Sequence, residues 1–114
     1  MPFLSSFKIA IQTGDVGTDE TVHYEFNSHK LELCDIEGGT APGQRFEGTG
    51  EPRSFVHSLH LIGPEEGEWT VDSISVEFTC QYDDPYEIEY GPVVLTPNNM
   101  VQLWVEKPPP VYDV

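Results

Sequence analysis

Apolar and polar side chains alternate with a period of two along most of this chain. Phe7, Ile9 and Ile11 alternate with Lys8, Ala10 and Gln12, which predicts a half-buried first strand beginning at Ser6. Residues 13–19 supply turn formers. Val22, Tyr24 and Phe26 then alternate with His23 and Glu25 as a second strand. Asn27-Ser28-His29 reads as a turn, and Leu31 and Leu33 around Glu32 predict a short third strand. From Asp35 to Arg53 the composition shifts to Gly, Pro, Thr and Glu, with Ile36, Ala41 and Phe46 as the apolar residues available to a core. That segment is expected to be a long loop. Ser54 to Ile62 is apolar on both faces and reads as one central strand.

The acidic turn at residues 63–68 precedes a long strand in which Trp69, Val71, Ile74, Val76, Phe78 and Cys80 supply the apolar positions. Asp83-Asp84-Pro85 breaks the pattern, Tyr86, Ile88 and Tyr90 restore it, and Gly91-Pro92 breaks it again. Val93–Leu95 and Met100–Glu106 form the last predicted strands. No window keeps apolar residues at helical spacing, and Pro and Gly interrupt every candidate helix. Seven or eight short strands joined by turns imply an all-β fold, an antiparallel β-sandwich or a small barrel. At 114 residues one core is expected, in a single domain over residues 1–107, with residues 108–114 as an extended Pro-rich tail headed by Pro108-Pro109-Pro110.

Charge narrows the partners. Twenty Asp and Glu against five Lys and Arg give a formal net charge of -15, which repels phosphate backbones, so nucleic acid is not expected. The apolar runs fall far short of the roughly 20 residues that span a bilayer, so no transmembrane segment is expected. The start, Met1-Pro2-Phe3-Leu4, lacks the basic and long apolar stretches of a secretory signal, and the expectation is a cytoplasmic location with secretion left open. Cys34 and Cys80 have apolar neighbours and are expected as buried free thiols, although a disulfide between two predicted strands remains an alternative.

The segment Phe7-Lys8-Ile9-Ala10-Ile11-Gln12-Thr13-Gly14-Asp15, followed by Gly17-Thr18-Asp19-Glu20 and Val22, resembles the opening of the PLAT family of β-sandwich domains. Trp69-Thr70-Val71-Asp72-Ser73-Ile74-Ser75-Val76 looks like a late strand of that family, and Leu103-Trp104 is similar to a terminal tryptophan in several of its members. The resemblance implies a PLAT/C2-like sandwich that acts as a stand-alone recognition domain. PLAT domains accompany lipases and lipoxygenases and bind lipid surfaces or protein partners, some through calcium.

Calcium takes six to eight oxygens from irregular loops. Asp15, Asp19 and Glu20 lie within six residues, with Gly14 and Gly17 between or beside them; in a PLAT-like sandwich, Asp35 and Glu37 would approach the same end. Asp beside Gly is equally ordinary turn chemistry. His57 and His60 are three apart on one predicted strand and so point to opposite faces. Glu87 and Glu89 share a face about 7 Å apart, which would suit acid and base roles or a solvated edge. Trp69 and Trp104 are expected in the core, and no catalytic activity is expected. Two roles follow. One is a non-catalytic binding module that recognises a lipid surface or protein partner through loops at one end of the sandwich, with calcium as a candidate cofactor. The other is an acidic interaction domain, an inhibitor or assembly subunit, that meets a basic partner through Asp83, Asp84, Glu87 and Glu89.

Overall fold

The computed structural model describes residues 3–82 and 84–105. Within them the chain is all-β, and every strand pair is antiparallel. The strands are β1 (Phe3–Thr13), β2 (His23–Phe26), β3 (His29–Glu32), β4 (Cys34–Gly38), β5 (Arg45–Gly50), β6 (Ser54–Phe55), β7 (Leu59–Ile62), β8 (Trp69–Cys80), β9 (Tyr86–Tyr90), β10 (Val93–Leu95) and β11 (Met100–Gln102). They form a seven-stranded sheet, β10-β8-β1-β5-β4 with β6 on β1 and β9 on β8, and a four-stranded sheet, β11-β7-β2-β3. The two inner faces meet as a sandwich, and eleven strands replace the seven or eight expected because β4 and β5 form where a loop was expected and residues 54–62 divide into β6 and β7.

The long strands form where the sequence alternates most regularly. β1 buries Phe7, Ile9 and Ile11, and β8 buries Trp69, Val71, Ile74, Val76 and Phe78. These two strands pair along nearly their whole length, with a register shift between Leu4 and Ser6 that turns both Leu4 and Phe7 inward. From the four-stranded sheet come Tyr24, Phe26, Leu59 and Leu61; the Phe7 and Tyr24 rings meet edge to face at 5.0 Å across the sandwich.

Three expectations are corrected. Residues 35–53 are not a long loop, because β4 and β5 lie inside them and β5 pairs with six consecutive residues of β1. Its inward positions are Phe46, Gly48 and Gly50, and a Cβ on Gly50 would stand 2.3 Å from Cε1 of Phe7, so this glycine makes room for a ring rather than forming a turn. Residues 54–62 are not one strand either. β6 pairs with β1 in the larger sheet, β7 pairs with β2 in the smaller one, and the chain crosses between layers at buried Val56. Asn27 fixes that crossing: its side-chain oxygen accepts the N–H groups of His57 and Ser58 at 2.7 and 3.0 Å, and its amide nitrogen donates to the Phe55 carbonyl at 2.8 Å. His57 therefore lies in the crossing and His60 on β7.

The third correction is Cys34, which is exposed and donates from Sγ to the Thr49 carbonyl at 3.2 Å, whereas Cys80 is buried; both are free thiols. The apolar neighbour that suggested burial, Leu33, takes the inward position between β3 and β4. Trp69 is core as expected, and Trp104 is half-buried edge to face on Phe78. Tyr90 on β9 donates its hydroxyl to the Leu103 carbonyl, and Tyr86 donates to that of Val105 at 2.6 Å. Burial pushes the Tyr90 phenol up to about 12. The predicted tail, residues 108–114, and the end of the last predicted strand at Glu106 lie outside the described residues.

Candidate binding groove at the loop end

At one end of the sandwich the segments following β1, β4 and β7 come together, and hydrogen bonds fix their relative positions. Thr13, fully buried at the end of β1, accepts the Trp69 indole N–H at 3.1 Å and donates its own N–H to the Gln44 carbonyl at 3.0 Å. Gly14 donates to the Thr70 carbonyl at 2.8 Å. Val16 then lies against Thr70: the Thr70 N–H donates to the Val16 carbonyl, and the Val16 N–H donates to the Thr70 hydroxyl, each at 2.9 Å. On the other side Thr18 donates from its N–H to the Thr40 carbonyl at 3.0 Å, and the Thr40 hydroxyl donates back to the Thr18 carbonyl at 2.6 Å. Gly17 sits between these braces because a Cβ there would stand 2.3 Å from the Thr40 oxygen.

Glu20 ties in the third segment. Its carboxylate accepts the N–H groups of Glu65 and Glu66 at 2.7 and 3.2 Å, so both of its oxygens face the turn after β7. Between the braced segments lies an open depression of about 700 Å³. Its apolar surface comes from Val16, which is 43% exposed, with Ala41 and Pro42; Asp19, Glu20, Glu66 and Glu68 supply carboxylates around it. A smaller depression of about 330 Å³ shares Asp19 and Glu20 and continues towards His23, Lys30 and Glu65, where the Lys30 ammonium pairs with the Glu65 carboxylate at 3.5 Å.

The residues singled out from sequence separate in space. Asp19 and Glu20 line the groove, and Asp15 is exposed just after β1. Asp35 and Glu37 sit on edge strand β4 instead of a loop; Asp35 holds a φ of 50° at a bulge, and Glu37 stands opposite Glu47. Among the described residues, no three His, Cys, Asp or Glu side chains gather closely enough to hold a metal ion. Of the second set, Glu87 and Glu89 share the outer face of β9, Asp84 is exposed ahead of that strand, and Asp83 lies outside the described residues.

Ala41, Pro42, Glu66 and Glu68 were missed as groove residues. Residues 63–68 read as an acidic turn, but no sequence spacing places that turn beside Asp19, because Glu20 and Thr70 bring it there. A scan against protein-family models and searches of curated proteins and solved structures give no match to this chain.

Proposed function

We propose that this chain is a non-catalytic binding module that recognises a basic segment of a protein partner through the groove at the loop end of the sandwich. One observation carries the reading. A depression within the size range of small-ligand and side-chain sites is walled by backbone held on both sides, and it combines an apolar floor with carboxylates around it. A lysine or arginine fits that combination, with its aliphatic stem on Val16, Ala41 and Pro42 and its charged head towards Asp19, Glu66 and Glu68. Walls already fixed before binding reduce the entropy lost on association. The net charge of -15 adds long-range attraction for a cationic partner and opposes docking on an anionic bilayer. Recognition by loops at one end is also the role that the PLAT resemblance implies.

The test is fluorescence anisotropy with a labelled oligolysine peptide of about ten residues, at several ionic strengths. Binding is expected to weaken roughly tenfold between low and physiological salt, and further in the Glu66→Gln/Glu68→Gln double variant. Equal affinity in the double variant and the parent would overturn the assignment. Parallel sedimentation with neutral phosphatidylcholine vesicles, with calcium and with chelator, addresses the lipid alternative; calcium-dependent pelleting there would replace the protein partner by a membrane surface.

A further inference from the structure

The acidic residues of β9 stand apart from the groove, on a surface with a shape of its own. Strand register sets side chains from four strands in rows on the outer face of the seven-stranded sheet. Thr49, Lys8, Glu77 and Glu87 form one row, Glu47, Ala10, Ser75 and Glu89 the next, and Arg45, Gln12 and Ser73 a third. On the two central strands, β1 and β8, the positions between the Lys8–Glu77 row and Gln12 are the short Ala10, Ser73 and Ser75, where β-branched or aromatic side chains usually cover a sheet. These short side chains, with longer ones on β5 and β9 at the sides and Lys8 and Glu77 at one end, make a trough. It comprises two depressions of about 200 and 260 Å³ that share Arg45, Ser75 and Glu87.

Its lining sets the carboxylates of Glu47, Glu77, Glu87 and Glu89 against two cations, Arg45 and Lys8, the latter in register with Glu77, so negative charge is in excess along the β9 wall. Arg45 is directed to Glu47 on its own strand, with Nε and Nη2 both 3.4 Å from the carboxylate. Glu77 stands directly opposite Glu87, and like charges in register destabilise a sheet. Glu87 accepts a hydrogen bond from the Ser75 hydroxyl at 2.8 Å, but among the described residues no salt bridge reaches Glu77, Glu87 or Glu89. A cationic group in the trough would relieve the Glu77–Glu87 repulsion and meet Glu89 about 7 Å further along β9. It would also lie over a floor that offers hydroxyls and a methyl group.

We infer that this face is a second docking surface, taking an extended basic segment of a protein partner whose lysine or arginine side chains enter the trough between β5 and β9. Charge complementarity selects this occupant. A second copy of the chain brings another formal charge of -15 and is repelled. Glu87 and Glu89 are alternate residues on one face of β9, so an extended chain laid beside them can direct alternate side chains downward at the spacing of those carboxylates.

The experiment uses the Glu66→Gln/Glu68→Gln protein as its background, so that the loop-end groove is weakened and the two assignments fail separately. A labelled peptide alternating lysine and threonine is titrated by anisotropy, and its contacts are mapped by amide chemical shifts. The shifts are expected at residues 8–10, 45–47, 73–77 and 87–89. Ser75→Leu fills the floor without changing charge and is expected to weaken binding at least about fivefold. Glu87→Gln/Glu89→Gln is expected to do the same, while Glu25→Gln/Glu32→Gln, an equal charge change on the other sheet, has little effect. Unchanged affinity in folded Ser75→Leu, or equal losses in the two charge-matched variants, would overturn the inference in favour of diffuse attraction. Spermidine binding as tightly as the peptide would assign the trough to a free polyamine, and a dimer in sedimentation equilibrium would assign the face to self-association; either overturns the proposed occupant.

Discussion

Gly50→Ala distinguishes a packed strand from the flexible loop that the sequence suggests at residues 35–53. The added Cβ falls 2.3 and 2.4 Å from two ring carbons of Phe7, well over an ångström inside normal carbon–carbon contact. The ring has little room to retreat, because Phe7 is 1% exposed and its edge already meets Tyr24 at 5.0 Å. Overpacking of this kind costs about 3 kcal/mol at the upper end of its usual range, and the gain from alanine over glycine in a strand returns roughly 0.5–1 kcal/mol. A net loss of about 2 kcal/mol follows, which lowers Tm by roughly 8 °C in a domain of this size. Urea denaturation of Gly50→Ala, Phe7→Leu and the double variant supplies a mutant cycle. Leucine lacks the atoms that clash, so alanine should gain roughly 0.5–1 kcal/mol in that background and the coupling should approach about 3 kcal/mol. An exposed loop glycine behaves oppositely, gaining about 0.4–1 kcal/mol with alanine through the unfolded state. A stabilising or neutral Gly50→Ala would therefore refute the placement of β5 beside β1.

Other positions give independent checks. Thr13→Val keeps the shape but removes the acceptor of the buried Trp69 N–H, and should cost about 1–3 kcal/mol by urea denaturation while altering tryptophan fluorescence. The Tyr90 phenol is held up at about 12 against an ordinary value near 10, so its contribution is complete below pH 10 and lost as pH rises towards 12. Tm measured from pH 9 to 12 should accordingly fall less steeply in Tyr90→Phe than in the parent. Cys34 should react with a thiol reagent in the native protein at one equivalent, and Cys80 only on unfolding; two fast equivalents would contradict the burial of Cys80. Millimolar calcium is expected to leave Tm unchanged, because Glu20 already accepts two backbone N–H groups and Glu37 lies on a strand; a rise would restore the calcium reading.

The period-two signal was dependable where one face of a strand is buried and the other is wet, as in β1, β2 and β8. It misled where glycine or a change of layer entered the pattern. Gly48 and Gly50 carry no side chain, so β5 loses its alternation in sequence although Phe46 alternates with exposed Arg45 and half-exposed Glu47 in space. Residues 54–62 keep apolar side chains on both faces for a different reason. Val56 points into the core as the chain crosses, and Leu59 and Leu61 belong to the other sheet. A window centred on that run averages two strands of different sheets into one.

The groove was legible only in part, because its carboxylates converge through contacts that sequence distance hides. Asp19 and Glu20 lie in the loop singled out for its Asp and Gly spacing, yet Glu66 and Glu68 stand more than forty positions away and arrive through the Glu20 carboxylate and the Thr70–Val16 hydrogen bonds. The sheet trough poses the reverse problem. Glu87 and Glu89 announce an acidic face by themselves, but its depth depends on Ala10 and Ser75, unremarkable residues 65 positions apart that register sets side by side. On the inferred docking surface the short side chains of the central strands supply the space and the carboxylates the charge, and a charge-neutral change at Ser75 tests the first without altering the second, which makes it the sharper probe of the face.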